Sequence, residues 1–253
     1  LSIWKEEKYR ELQGQYPVIF VSFADVKERD YESAVRKIKH ILVDLYLQYE
    51  FLKKNFSESE QMRYRQISYN MDNVAAQDAL KSLAALLSSY YGKKAIILLD
   101  EYDTPMQEAY IHGYWEEFTG FMRSMFNATF KTNPYLERAV MTGITRVSKE
   151  SMFSDLNNLN VVTMTSKEYA TAFGFTEEEV FAALDSYGMS EEKEKVKKWY
   201  DGFVIGPVKD IYNPWSITNF LSKKAYRAYW VATSSNGMAS KLIQTASSEV
   251  KTK

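Results

Sequence analysis

Residues 95–110, AIILLDEYDTPMQEAY, carry the strongest structural signal in the chain. Five apolar residues run directly into Asp100, Glu101 and, one position later, Asp103. A short, continuous apolar run is typical of a strand that is covered on both faces. Carboxylates are costly to bury without partners, so we expect these three to border a crevice at the end of a buried strand.

Similar apolar runs occur on both sides of this stretch and alternate with helical patterns. Residues 17–23 and 137–144 predict two further strands, and residues 160–164 predict a fourth. Helices are expected after Asp30, over about 75–90 with Gly92 ending it, and from Trp115 towards Asn133. Strands that alternate with helices predict an α/β core, about residues 1–165, with a parallel sheet covered on both faces.

A smaller module, about residues 166–253, is predicted to follow this core. Thr176 and Glu179 form a capping-box pattern, and Asn213-Pro214 is a typical helix start. Between them we expect a second helix, a turn at Tyr200-Asp201-Gly202 and a small hairpin around Gly206. This order predicts a mainly helical, winged-helix-like module. Its core is expected to include three tryptophans, Trp199, Trp215 and Trp230.

Composition excludes several classes of function. The 253 residues include no cysteine and two histidines, which excludes disulfides, thiolate nucleophiles and cysteine zinc sites and disfavours histidine metal sites. The formal charge of −1 does not indicate direct nucleic-acid binding. No apolar stretch is long enough to span a membrane, and the first residues are too polar for a signal peptide, so we expect a cytoplasmic protein.

The acidic strand end suggests nucleotide chemistry. In P-loop NTPases an acid at this position holds Mg²⁺, directly or through water, and an adjacent glutamate can orient or activate the attacking water. On this interpretation Asp100 is the metal ligand and binds the cofactor, Glu101 is the catalytic base, and Asp103 is a further candidate cofactor-binding residue. The alternative is that two acids only terminate a strand and cap the next turn.

A second candidate site follows the next strand. The sequence Thr142-Gly143-Ile144-Thr145-Arg146 leaves a hydroxyl and a cation near the same predicted crevice. Thr142 is therefore a candidate cofactor-binding residue, and Arg146 is a candidate catalytic residue that would contact phosphate. The alternative for Arg146 is a surface ion pair with an acid such as Glu150.

The printed sequence contains no phosphate loop. None of its ten glycines belongs to the pattern G-x-x-x-x-G-K-[ST], whose amides, lysine and hydroxyl hold phosphates and Mg²⁺. Gly92-Lys93-Lys94 is the nearest imitation, but it precedes the acidic strand and leads into no helix.

Taken together, the motifs resemble those of the AAA-ATPase-like family of bacterial P-loop ATPases, which are often joined to a C-terminal restriction-endonuclease-like module. The resemblance rests on a series in this order: YPVIFVSFADV, AIILLDEYDTP, AVMTGITRVSKESMFSDLNNL, FGFTEEEV, KKWYDGF, IYNPWSI and YWVATSSN. Single motifs are weak, but the set is specific and spans nearly the whole chain.

The resemblance implies a fold and a chemistry. DEYD would be the Walker B segment and TGITR would contain the sensor region. The implied cofactors are ATP and Mg²⁺, with the Gly-Lys-Ser phosphate loop expected upstream of Leu1 and the nuclease-like module beyond Lys253. The second module would act as a lid that couples nucleotide state to a protein partner. Two rival functions are a non-catalytic interaction scaffold and a regulatory domain of an attached nuclease.

The resemblance also implies a structural consequence. The strand that leads into the phosphate loop lies inside the sheet in this class of ATPase. A chain without that strand should show a gap, a displaced strand or a substitute strand beside residues 139–144.

Overall fold

The structure is a computed structural model that describes residues 2–144, 153, 156 and 158–230. The chain divides into two compact units, Leu1–Asn158 and Leu159–Lys253. None of the helices in the described ranges combines the length and the apolarity that a membrane crossing would require.

The first unit contains a parallel sheet of three strands in the order β1-β2-β3, so the acidic strand is central. Their bounds are β1 Val18–Ser22, β2 Ala95–Asp100 and β3 Leu136–Met141. The pairing places Ser22 opposite Asp100 and Met141 opposite Leu99. A mixed α/β unit with a parallel sheet is thereby confirmed, although β3 ends three residues before the predicted residue 144.

Six helices are described for the first unit, and their ends follow the predicted signals. Asp30 accepts a hydrogen bond from the Ser33 amide at 2.8 Å, and Gly92 ends its helix in the left-handed conformation. The helices are α1 Glu7–Arg10, α2 Tyr31–Leu47, α3 Glu58–Arg65, α4 Asn73–Tyr91, α5 Thr104–His112 and α6 Trp115–Phe126. Shorter helical turns are Ser2–Lys5, Glu50–Asn55 and the π-type turn Asn127–Lys131.

One face of the sheet forms the core with α2, α4 and α6. Its buried strand residues are Ile19, Val21, Ala95, Ile97 and Leu99. Alternate positions belong to the other face, where Val18, Phe20 and Val140 are 44%, 58% and 49% exposed. The prediction of a sheet covered on both faces is therefore wrong for the described part of the chain, which covers one face.

The outer edge of β3 is also open. In the described part of the sheet β3 pairs with β2 on one side and with no strand on the other. Such an edge presents unpaired backbone N–H and C=O groups that can accept another strand. The three described strands pair without an interior gap, so a gap, a displaced strand or a substitute strand beside residues 139–144 stays a prediction.

The second unit contains a small antiparallel sheet with three helices. The strands are β4 Phe175–Thr176, β5 Asp201–Ile205 and β6 Val208–Tyr212, in the order β4-β6-β5. The helices are α7 Glu177–Ser186, α8 Lys193–Tyr200 and α9 Pro214–Lys223, with a 3-10 turn at Ser190–Glu192. The capping box of Thr176 and Glu179, the hairpin and the cap at Asn213 are all confirmed.

Three local predictions for the second unit are wrong. Residues 160–164 form no strand, because hydroxyl groups satisfy the backbone in a turn: the Thr163 amide donates to Ser166 Oγ at 2.9 Å, and the Ser166 amide donates to the Thr163 carbonyl. Asp201 and Gly202 do not form a turn but begin β5, directly after α8.

The third error concerns the three tryptophans. Trp199, Trp215 and Trp230 are 51%, 54% and 46% exposed, so they are not core residues. The core of this unit is made instead by smaller or differently placed side chains, listed here: Val180, Leu184, Val196, Tyr212, Ile217, Phe220 and Leu221.

We predict that Tyr46→Phe destabilises the first unit by about 1–2 kcal/mol, because the buried Tyr46 hydroxyl ties α2 to α4 by donating to the Ala79 carbonyl at 2.7 Å. Urea unfolding would measure the loss. Tyr90→Phe removes a hydroxyl from a 44%-exposed ring and serves as the matched control, expected within about 0.5 kcal/mol of the wild type. Equal stability of the two variants would contradict the assignment.

Candidate active site

The candidate site lies where the three parallel strands of the first unit end. Since parallel strands have their carboxyl ends at one edge of the sheet, Ser22, Asp100 and Thr142 come together there. Thr142 follows β3 directly, and its amide donates to the Leu99 carbonyl at 2.9 Å. The predicted convergence of the acidic strand end and Thr142 on one edge is thus present.

Asp100 is held by hydroxyl groups from both neighbouring strands. Thr142 Oγ1 donates to Asp100 Oδ1 at 2.6 Å, and Ser22 Oγ donates to Asp100 Oδ2 at 3.2 Å. The Asp100 residue is partly exposed, so its carboxylate is oriented without being sealed in the core. Hydrogen bonds to both oxygens fix the carboxylate plane and leave further lone pairs for a ligand.

Thr142 also binds the backbone on either side of Asp100. Besides the contact to Leu99, its carbonyl accepts a hydrogen bond from the Tyr102 amide at 3.1 Å. Its hydroxyl, amide and carbonyl therefore all contact the segment 99–102. This geometry makes Thr142 a support of the acidic turn, and a direct contact of Thr142 with a cofactor stays a prediction.

Glu101 has a strained backbone. Its φ is +50°, in the left-handed region that side chains other than glycine seldom adopt. The side chain is partly exposed, and its Oε2 accepts a hydrogen bond from Thr104 Oγ1 at 2.8 Å. Strained backbone of this kind concentrates at functional sites.

Tyr102 and Asp103 turn the chain back into the core. The ring of Tyr102 is buried, with Phe126 and Phe153 edge-on at 6.4 and 5.4 Å. Asp103 has no exposed surface, and its Oδ2 accepts a hydrogen bond from Gln107 Nε2 at 2.9 Å. In this structure the Asp103 carboxylate supports the turn, and its predicted role in cofactor binding stays a prediction.

Gly143 lies against this buried pair. A Cβ atom at that position would come within 2.5 Å of Asp103 Oδ1 and 2.9 Å of Tyr102 Cε1. The glycine is therefore required by close packing of the segment after β3 on the acidic turn.

Sequence reasoning missed Ser22, and one predicted residue cannot be placed. Ser22 ends a strand that was predicted, and a polar residue at the end of an apolar run was the available signal. Arg146 lies outside the described residues, as does Glu150, its alternative ion-pair partner. Whether Arg146 approaches Asp100 stays a prediction.

The side chains at this edge present oxygen atoms of the type that binds hard divalent cations. Asp100, Glu101, Ser22 and Thr142 offer carboxylate and hydroxyl oxygens, the donor type that Mg²⁺ prefers. Among the described residues no group of three or more histidine, aspartate or glutamate side chains is placed to hold a metal ion. The described residues contain no glycine-rich phosphate cradle.

The first unit is thus an α/β fold whose central parallel strand ends in Asp100 and Glu101, and hydroxyl groups donate hydrogen bonds to both carboxylates. A family profile described as a predicted AAA-ATPase matches residues 1–153, which is more than half of the chain. The chain belongs to this AAA-ATPase-like family, and the predicted family resemblance is confirmed.

The chain is also similar to a protein of Azotobacter chroococcum mcd 1 described as an uncharacterized protein in the vnfD 5' region. The two are 27% identical over 143 residues, which is 56% of this chain and 27% of the relative. The chain thus matches about a quarter of that relative's length. No solved structure matches the chain.

We predict that Gly143→Ala lowers the stability of the first unit by about 1–3 kcal/mol, because the added methyl group overlaps Asp103 and Tyr102. The measurement is the midpoint of urea unfolding. Gly120→Ala in α6 is the matched control, since a Cβ there meets nothing within 4 Å and alanine favours a helix by up to about 1 kcal/mol. Equal destabilisation of Gly143→Ala and Gly120→Ala would contradict the claim that close packing requires a glycine at position 143.

Proposed function

We propose that this chain forms the metal-positioning and water-activating part of a Mg²⁺-dependent ATPase site. The observation that carries the proposal is the end of β2, where Asp100 is held between Ser22 and Thr142 and is followed by the strained Glu101. The family membership of residues 1–153 supports ATP as the substrate.

Asp100 acts as the metal-positioning residue in this proposal. Hydroxyl donors on both sides keep its carboxylate in one plane, so little reorganisation is needed when a cation binds directly or through water. Bound Mg²⁺ would neutralise charge on the phosphates of the substrate. Ser22 and Thr142 orient the Asp100 carboxylate, which is the proposed metal ligand, and need not contact the nucleotide.

Glu101 acts as the base. Its partly exposed carboxylate follows Asp100 directly, so it accepts the proton of the attacking water beside the metal-positioning group. General bases of this type contribute roughly 10²–10⁴-fold to the rate. Arg146 would supply the positive charge that contacts phosphate, as the sequence motif suggests.

The phosphate cradle belongs to a segment outside the printed sequence in this proposal. Two features of the sheet, as far as the described residues form it, support such a segment: the open edge of β3 and the exposed apolar side chains Phe20 and Val140 on the second face. A strand paired with β3 would end beside Thr142 and bring its loop to Asp100. Coupling of nucleotide state to a partner, through the second unit as a lid, is part of the same proposal.

Glu101→Ala in the complete gene product should lower ATP turnover by at least about 100-fold while nucleotide affinity changes little, because the base acts on water in the transition state and contributes little to binding. Steady-state phosphate release and equilibrium binding of a fluorescent ATP analogue would measure the two quantities. Glu116→Ala, at an exposed position of α6, is the control and should behave as the wild type.

Asp100→Asn gives a second, independent measurement. It removes the charge that would position Mg²⁺, so the Mg²⁺ concentration needed for half-maximal turnover should rise by about tenfold or more. For the Glu101→Ala variant of the first experiment, equal losses of ATP turnover and of nucleotide affinity would contradict the role of Glu101 as base. A wild-type protein that neither binds nor hydrolyses ATP would favour the interaction scaffold.

A further inference from the structure

In the acidic turn, Thr104 binds Glu101 by a side-chain contact. Thr104 is the first residue of α5, and the preceding residue, Asp103, makes no side-chain cap to the helix. The Thr104 hydroxyl donates to Glu101 Oε2 at 2.8 Å, and the Thr104 amide donates to the Glu101 carbonyl at 3.2 Å. Both polar groups of Thr104 therefore bind the same residue three positions earlier.

The backbone of Glu101 is held in place by its neighbours. A left-handed residue with a side chain costs about 1–2 kcal/mol, so surrounding contacts must stabilise it. The buried ring of Tyr102 and the hydrogen bond from its amide to the Thr142 carbonyl supply such contacts immediately after Glu101. The start of the Glu101 side chain is consequently fixed by the core.

The far end of that side chain depends on Thr104. A glutamate has three side-chain torsions, so a fixed backbone alone leaves its carboxylate mobile. Within the described part of the chain, Thr104 is the one hydrogen-bond partner of the Glu101 carboxylate, and it binds Oε2. The Oε1 atom accepts no hydrogen bond from the described residues and remains available to a water molecule.

We propose that Thr104 is a positioning residue for catalysis: its hydroxyl holds Glu101 Oε2 so that Oε1 receives the proton of the attacking water. The inference rests on the proposed ATPase function. Thr104 is partly exposed and is not placed in contact with nucleotide or metal. Its effect should therefore appear in the rate of the chemical step and not in substrate binding.

The test compares Thr104→Val with Thr104→Ser in the complete gene product. Valine keeps the shape of threonine but cannot donate a hydrogen bond, whereas serine keeps the donor. Thr104→Val should lower kcat by about tenfold or more, since a hydrogen bond to a charged group is lost, with KM within about twofold of wild type. Thr104→Ser should retain at least about half of kcat.

A double variant shows whether Thr104 acts through Glu101. On a Glu101→Ala background, Thr104→Val should lower the residual rate by less than about twofold, because residues that act as one unit are not additive. Urea unfolding of Thr104→Val and of Glu101→Ala shows whether each variant keeps its fold, so that a lower rate can be attributed to the lost contact. A tenfold loss in the double variant would show an independent role and overturn the inference.

The remaining outcomes separate this inference from the function on which it rests. If the wild-type protein hydrolyses ATP and Thr104→Val has an unchanged or increased kcat, the positioning role of Thr104 is overturned and the ATPase proposal stands. Equal losses for the valine and serine variants indicate a structural role and overturn it as well. A wild type without ATP turnover overturns both the ATPase proposal and the role of Thr104.

Discussion

The parallel pairing of β2 with a strand on each side is the constraint on which the first unit depends. Its backbone hydrogen bonds bring residues that are distant in sequence to one edge, where Ser22 and Thr142 meet Asp100 over separations of 78 and 42 residues. The same pairing places alternate β2 side chains in the core with α2, α4 and α6. One strand therefore supplies both the packing of the unit and the chemistry at its end.

The turn after β2 divides its residues between core and surface. Asp100 and Glu101 remain partly exposed, whereas Tyr102 and Asp103 are buried beneath the segment that follows β3. The buried Tyr102 ring, and its amide bonded to the Thr142 carbonyl, follow the left-handed Glu101 directly and help to hold its strained backbone. The hydrophobic core thus stabilises a conformation that local propensity disfavours, in the manner common to functional sites.

Sequence signals for helix caps, which act over three or four residues, were reliable here. The caps at Asp30 and Asn213 and the capping box of Thr176 are present, because each depends on side chains that bind the backbone of the same turn. The failures have two kinds of cause. Residues 160–164 have strand-like composition but form a local turn, in which the Thr163 amide donates to Ser166 Oγ. Asp201 instead pairs with strand β6, and Trp199 lies at helical spacing on the exposed side of its unit.

By itself the sequence determined the α/β character of the first unit, the acidic strand end and the family to which the chain belongs, since these depend on local composition and motif order. Tertiary structure alone decided that β2 is central, that the described residues leave one sheet face uncovered, and that hydroxyls from the ends of the two neighbouring strands hold Asp100. It also decided that Asp103 is buried and Glu101 is strained. The physical reason is that strand order, register and burial arise from contacts between segments that no local pattern encodes.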